Sequence, residues 1–366
     1  MTGSAIRSVL DLDAFARVFA GLQRRGYEVV GPTVRDGAIV YDTLSGIEEL
    51  PAGWTDTQAP GQYRLERRPD GALIGFHCGP QSWKKFLHPP DLTLFNGHPP
   101  PKYALLGVRP CELAAIRLQD RVLIEDKFPD SIYNARRRDV FILAVQCSEP
   151  SAVCFCESMK TGPQAEAGFD VAITELIGDG RHQFLLEAGS DRGAELVREL
   201  GDCGANGIHR PVAPPQQRTV DTSGLHDILV NKFEHPRWDE VARRCLCCGN
   251  CTMVCPTCFC TTVEDTSDIT GAQTARVRKW DSCFTLAFSY IHGGSVRMSA
   301  KARYRHWLTH KFAYWIDQFG SFGCVGCGRC ITWCPAAIDI TEELKAIREP
   351  AVPTPAAPRE HHDGNT

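Results

Sequence analysis

Cys245-Leu-Cys-Cys248-Gly-Asn-Cys251-Thr-Met-Val-Cys255-Pro256 is one of two copies of a single pattern. The other is Cys324-Val-Gly-Cys327-Gly-Arg-Cys330-Ile-Thr-Trp-Cys334-Pro335. Both read C-x2-C-x2-C-x3-C-P. Each run offers three thiolates around a short loop and sends the fourth elsewhere. Soft thiolates in such a set suit iron–sulfur chemistry. Structural zinc usually shows paired CxxC knuckles or Cys/His mixtures, and neither run has that format. The proline after each last ligand turns the chain away and supplies no backbone donor. Gly249, Gly326 and Gly328 allow tight backbone close to a cluster.

In bacterial two-cluster ferredoxins the fourth cysteine of each such run ligates the other run's cluster. The spacing therefore predicts two 4Fe-4S clusters with crossed ligands. One takes Cys245, Cys248, Cys251 and Cys334; the other takes Cys324, Cys327, Cys330 and Cys255. Crossing lets one small module hold both clusters close together, so that electrons can pass between them.

The rest of the composition frames this module. At 366 residues the chain has room for two or three domains. Hydrophobic content of 43% and charged content of 23% are those of an ordinary globule, and a net charge of -4 gives no reason to expect nucleic acid. Eighteen cysteines in a chain this long point away from a small disulfide scaffold. No secretory segment and no run of about 18 apolar residues is present, so no membrane span is expected and a cytoplasmic metalloprotein is the simplest account.

Along the chain, residues 11–25 have helical apolar spacing closed by Gly26, and short strand-like pieces follow at 38–41 and 72–76. The turn-forming residues of 51–70 read as loop. Apolar runs at 103–108 and 140–145 flank a helical stretch at 111–120, a βαβ unit with buried parallel strands. Another helix is expected at 191–200, and largely helical chain over 221–241. The fold expected is an α/β domain over 1–215 joined to an α+β ferredoxin-like domain over 216–348 with a helical insert, then a flexible tail over 349–366. Residues 301–319 read as a long helix within that insert. Its charged residues fit a core helix with a solvated face better than a docking surface for a partner.

A second set of cysteines lies in the N-terminal region. Cys111 follows the first apolar strand and Cys147 the second, so parallel pairing places both at the carboxyl edge where open α/β sheets bind ligands. Cys154 and Cys156 follow within one loop. A third cluster on Cys111, Cys147, Cys154 and Cys156 is preferred to a set of buried, inert thiols, with zinc the minority alternative. Cys258, Cys260 and Cys283 read as lining of the cluster pocket in preference to a separate thiol group or an added ligand, the Cys247 side chain should point away from its ligand neighbour, and Cys78 and Cys203 have no local metal pattern. No GxGxxG follows a strand and no GxxxxGK[ST] occurs, so neither catalytic residues nor a flavin site is assigned, and the chain needs a catalytic partner.

An ordered series of strings resembles the beta subunit of cytoplasmic sulfhydrogenases, the NAD(P)-linked nickel–iron hydrogenases. It is similar also to their relative, the electron-transfer subunit of anaerobic sulfite reductase. The strings are Gly107-Val-Arg-Pro-Cys111-Glu-Leu, Cys154-Phe-Cys156-Glu-Ser-Met159, Cys255-Pro-Thr-Cys258-Phe-Cys260, Trp280-Asp-Ser-Cys283, His310-Lys-Phe312 and the second cysteine run, spread over roughly residues 100–340. The resemblance implies a non-catalytic iron–sulfur electron-transfer subunit. Its partners would be the large and small nickel–iron hydrogenase subunits together with a flavin- and NAD(P)H-binding subunit, with neither flavin nor nickel on this chain. In the sulfite reductase arrangement the terminal partner carries sirohaem instead. A zinc-stabilised interaction module is the alternative of another class.

Overall fold

The computed structural model describes residues 6–95, 100–178, 180–201, 204–205 and 207–350. Cys203 and the tail from 351 lie outside them. A seven-stranded sheet carries the N-terminal half: β1 (Arg7–Asp11), β2 (Glu28–Arg35), β3 (Ala38–Thr43), β4 (Tyr103–Val108), β5 (Phe141–Val145), β6 (Val171–Gly178) and β7 (Arg181–Ala188), in the order β1-β7-β6-β5-β4-β2-β3. The inner strands β2, β4, β5 and β6 run parallel, and the outer pairings are antiparallel. Strands β4 and β5 are buried on both faces, which is why they read as unbroken apolar strings.

Helix α1 (Leu12–Arg24) starts where the Asp11 carboxylate accepts the Ala14 N–H, and it lays Phe15, Val18 and Leu22 on the sheet. Helix α2 (Pro110–Leu123) leaves the end of β4 at once. Pro110 occupies its first position, where a missing N–H costs nothing. Helix α3 (Asp191–Leu200) is capped by Ser190.

Two local expectations fail. Residues 51–70 are not loop: Trp54–Ala59 and Gln62–Arg67 pair as a hairpin, and the turn formers mark only its tip at Pro60-Gly61. Residues 72–76 are not a strand, because the Leu73 and Ile74 N–H groups go to the Glu175 carboxylate (2.6 and 2.8 Å) instead of a ladder.

In the C-terminal half, helices Leu225–Asn231 and Arg237–Arg244 lead into the first cysteine run. The insert is not simply helical. It opens with a hairpin, Thr261–Ser267 against Thr274–Trp280, to which Asp91–Thr93 adds a third strand. Its threonines and alternating Val263 and Val277 favour extended chain. The helix follows as Ala300–Thr309, a π-helical turn at His310–Tyr314, and Trp315–Phe319. Trp307, Lys311, Phe312 and Trp315 are all buried, as a core helix requires. Among the described residues no helix is long and apolar enough to cross a membrane.

Candidate metal centres

The two cysteine runs fold alike. A short helix follows each central glycine, Asn250–Met253 after Gly249 and Arg329–Thr332 after Gly328, and the two glycines have φ of 74° and 75°. Two residues after its first cysteine each run also enters the left-handed region, at Cys247 (φ 52°) and Gly326 (φ 66°). That twist aims an amide at the first sulfur: Cys247 N lies 3.5 Å from Cys245 Sγ, and Gly326 N lies 3.4 Å from Cys324 Sγ.

The last cysteine of each run lies beside the other run. Cys334 lines one apolar pocket with Cys245, Cys248 and Cys251, and Cys330 reaches its wall. Burial, then the Cys245, Cys334 and Cys248 sulfurs, pushes the Cys251 thiol well up. Burial, then Cys324, Cys327 and Cys255, does the same to Cys330. Asn250 Nδ2 donates to the Trp333 carbonyl at 2.5 Å and ties the two loops together.

The N-terminal cysteines also converge. Parallel pairing of β4 with β5 puts Cys111, in the first turn of α2, and Cys147 at one end of the sheet. Cys154 and Cys156 arrive in the loop after β5 and press on the second run: Phe155 N donates to Gly326 O at 2.9 Å, and Thr161 Oγ1 to Val325 O at 2.7 Å. Cys111, Cys156 and Cys327 share one buried cluster. Burial, then Cys78, Cys156, Cys147 and Cys327, raises the Cys154 thiol.

Cys78 belongs to the same group, and no local pattern marks it. It sits in irregular chain after the hairpin, far from the others in sequence. Yet it shares a buried cluster with Cys111 and Cys156, and its thiol lies close to Cys147 and Cys154. Cys247 gives its backbone N–H to Cys245 Sγ, and its thiol stands near enough to Cys245 to raise that thiol. Cys258, Cys260 and Cys283 gather beside Cys255, with the Cys258 thiol next to that of Cys255 and the Cys260 thiol next to that of Cys283. Among the described residues, no three Cys, His or carboxylate side chains surround one point closely enough to hold a single metal ion.

The surroundings of the N-terminal thiols are cationic. Arg329 and Arg109 are 0% and 4% exposed. Arg109 Nη1 lies 3.7 Å from Cys147 Sγ, and Arg329 pairs with Glu112 and lies near Cys78 and Cys327. Arg329 Nη1 and Arg109 Nε have no hydrogen-bond partner. Two buried guanidiniums against one carboxylate leave positive charge that an anionic group beside the thiols would compensate. The donors therefore fit thiolate-ligated iron–sulfur clusters.

Residues 244–338 match the family profile of the 4Fe-4S dicluster domain. Over 351 residues the chain is 32% identical to sulfhydrogenase 2 subunit beta of Pyrococcus furiosus, covering 93% of this chain and 98% of that one. A match of this extent takes in both cysteine runs and the N-terminal thiols, and with it the chain belongs to the sulfhydrogenase beta-subunit family, as an iron–sulfur electron-transfer subunit.

Proposed function

We propose that the chain carries three 4Fe-4S clusters and passes electrons between a nickel–iron hydrogenase module and a flavin- and NAD(P)H-binding subunit. The proposed ligands are Cys245, Cys248, Cys251 and Cys334 for the first cluster, and Cys324, Cys327, Cys330 and Cys255 for the second. Cys111, Cys147, Cys154 and Cys156 would hold the third. The observation that supports the reading is that Cys334 lines a pocket with Cys245, Cys248 and Cys251, while Cys255 lies close to Cys324, Cys327 and Cys330. Cys327 in turn shares a buried cluster with Cys111 and Cys156 of the third group of thiols. Bound clusters would take up and release single electrons. The chain's own part is to hold them in one continuous buried body and to compensate their charge with Lys311, Arg329 and Arg109.

The relative's name makes it one subunit of a sulfhydrogenase, which supports a multi-subunit setting for this chain. Iron and acid-labile sulfide in anaerobically purified protein test the cluster count. Three clusters give about twelve irons per chain and two give about eight, at four per site. Stoichiometric zinc without iron would overturn the reading in favour of an interaction module. The isolated chain should oxidise neither hydrogen nor NAD(P)H, and should accept electrons once its flavin partner is added. Stoichiometric FAD on the isolated chain, with NADPH-driven dye reduction, would contradict the assignment of the flavin to a partner. Purification with a sirohaem subunit would move the chain to the sulfite reductase arrangement.

A further inference from the structure

Lys311 is 5% exposed, and its ammonium makes three contacts: Cys255 Sγ at 3.2 Å, Thr257 Oγ1 at 3.1 Å and the Gly323 carbonyl at 3.3 Å. All three donors of the ammonium are used, none on a carboxylate. The π-helical turn at His310–Tyr314 carries the residue, and Phe312 and Ala313 of the same turn are buried as well. Such turns inside α-helices are frequent at functional sites. Lys84 stands behind it at 6% exposure, with Nζ 3.0 Å from the Cys258 carbonyl and 3.7 Å from the centre of the Trp280 ring. Two buried ammoniums thus flank the Cys255 loop without an acidic partner among their contacts. A charge buried this way is costly unless an opposite charge sits beside it. The twin pocket is different. Phe284, Tyr304, Trp307, Ile338 and Ile340 line it, and no lysine or arginine does.

We propose that Lys311 raises the reduction potential of the cluster on Cys324, Cys327, Cys330 and Cys255 above that of its twin. Electrons entering either cluster then settle next to the N-terminal thiols. The inference rests on the ligand sets proposed above. Reduction adds one electron to the cluster and moves no proton. A fixed ammonium hydrogen-bonded to a ligand sulfur stabilises that added negative charge, and does so strongly where little water screens it. Lys311 acts through the sulfur as a positioning and tuning residue.

The test is a redox titration of the full chain, purified anaerobically and followed by electron paramagnetic resonance. Cys255→Ala first identifies the signal of the second cluster by removing it. Lys311→Met should then shift the reduction equilibrium of that cluster at least tenfold toward the oxidised form, about 59 mV for a one-electron couple. The twin's midpoint and the iron count should not change. Lys311→Gln keeps a donor and should shift less, Lys311→Arg should stay near the original midpoint, and Lys84→Met should move the same cluster in the same direction by a smaller factor. Unchanged or equal shifts of both clusters in Lys311→Met would overturn the proposal. So would loss of that cluster's iron in every neutral variant, which would make Lys311 a scaffold. If Cys255→Ala removes no cluster, the ligand assignment fails instead, whatever the lysine does.

Discussion

The two cysteine runs share spacing, backbone twist and the amide aimed at the first sulfur, yet they sit in different worlds. The first opens outward. Cys248 is exposed, Leu246 is 68% exposed, and its pocket walls are aromatic and aliphatic. The second is sealed. A Cβ on Gly326 would stand 2.6 Å from the backbone of Phe155 and Cys156, and one on Gly328 would stand 2.6 Å from the Val153 carbonyl. Lys311 and Arg329, both buried, flank its sulfurs. The motif sets what is bound, and the surroundings decide what each copy can do. Under the proposed ligand sets, the outward copy would exchange electrons with another subunit, and the inward one would hand them to the N-terminal thiols.

The largest effect should come from removing the ligand that each copy lends to the other. Cys334→Ala should remove about four irons and the signal of the first-run cluster, although Cys334 belongs to the second run. Cys255→Ala should do the reverse. Iron analysis with paramagnetic resonance of each variant checks both. Loss of the own-run cluster in either case would break the crossed assignment. Cys154→Ala extends the comparison to the third group. It should also remove about four irons while both ferredoxin-type signals persist.

The next effect separates the two environments. Gly326→Ala forces a side chain into the Phe155–Cys156 backbone at a φ of 66°. Overpacking costs about 1–3 kcal/mol and the left-handed conformation adds about 1–2. A loss of roughly 3 kcal/mol in denaturant unfolding is expected. A neutral result would mean that the contact between the second run and the N-terminal loop is looser than the structure has it.

What the sequence reveals follows the range of the signal. The cysteine runs, the βαβ unit and helix α3 are local patterns that lie where they are expected, except that α2 runs past 120 to Leu123. The hairpin at 54–67 is hidden because Pro51, Gly53, Pro60, Gly61, Pro69 and Asp70 crowd its ends and tip, while its strands are too polar for a clear apolar alternation. Cys78 is hidden for a different reason. It joins the thiol group only through the packing of irregular chain against α2 and the second run. Its neighbour Gly79 accepts from Arg329 Nε at 2.9 Å, a contact across 250 residues that no spacing encodes. Lys311 is visible as part of a helix. What spacing does not convey is the π-helical turn that sets it against Cys255.

A third prediction concerns the protein stripped of iron. Burial first of all lifts Cys324 and Cys156 to about 12, and Cys245 and Cys327 to about 11. An unfolded cysteine titrates near about 8.5. Groups raised in the folded state contribute stability that is fully present below the unfolded value and is lost as pH rises toward the folded one. Cys255 runs the other way, held down chiefly by its bond to Cys258. The apo chain should therefore lose several degrees of melting temperature between about pH 8 and about pH 11, mostly through the other thiols. The cluster-loaded protein, whose ligand sulfurs are already deprotonated, should not show this slope. Equal slopes for both forms would mean that the thiols are not protonated together in the apo site.

The smallest effect tests how far the copies are alike. Cys247 holds in the first run the left-handed position that Gly326 holds in the second, and it carries a side chain there. A non-glycine residue at that φ costs about 1–2 kcal/mol, while glycine returns about 0.5–1 of it through unfolded-state entropy. Cys247→Gly should thus leave the chain equally stable or more stable by up to about 1 kcal/mol. The iron count should stay at the original value, because Cys247 is outside the proposed ligand set and the N–H it gives to Cys245 Sγ is a backbone group that glycine keeps. Keeping iron while gaining stability would make the first run a plain equivalent of the second. Loss of about four irons would give Cys247 a ligand's place and break the likeness at the point where the two sequences differ.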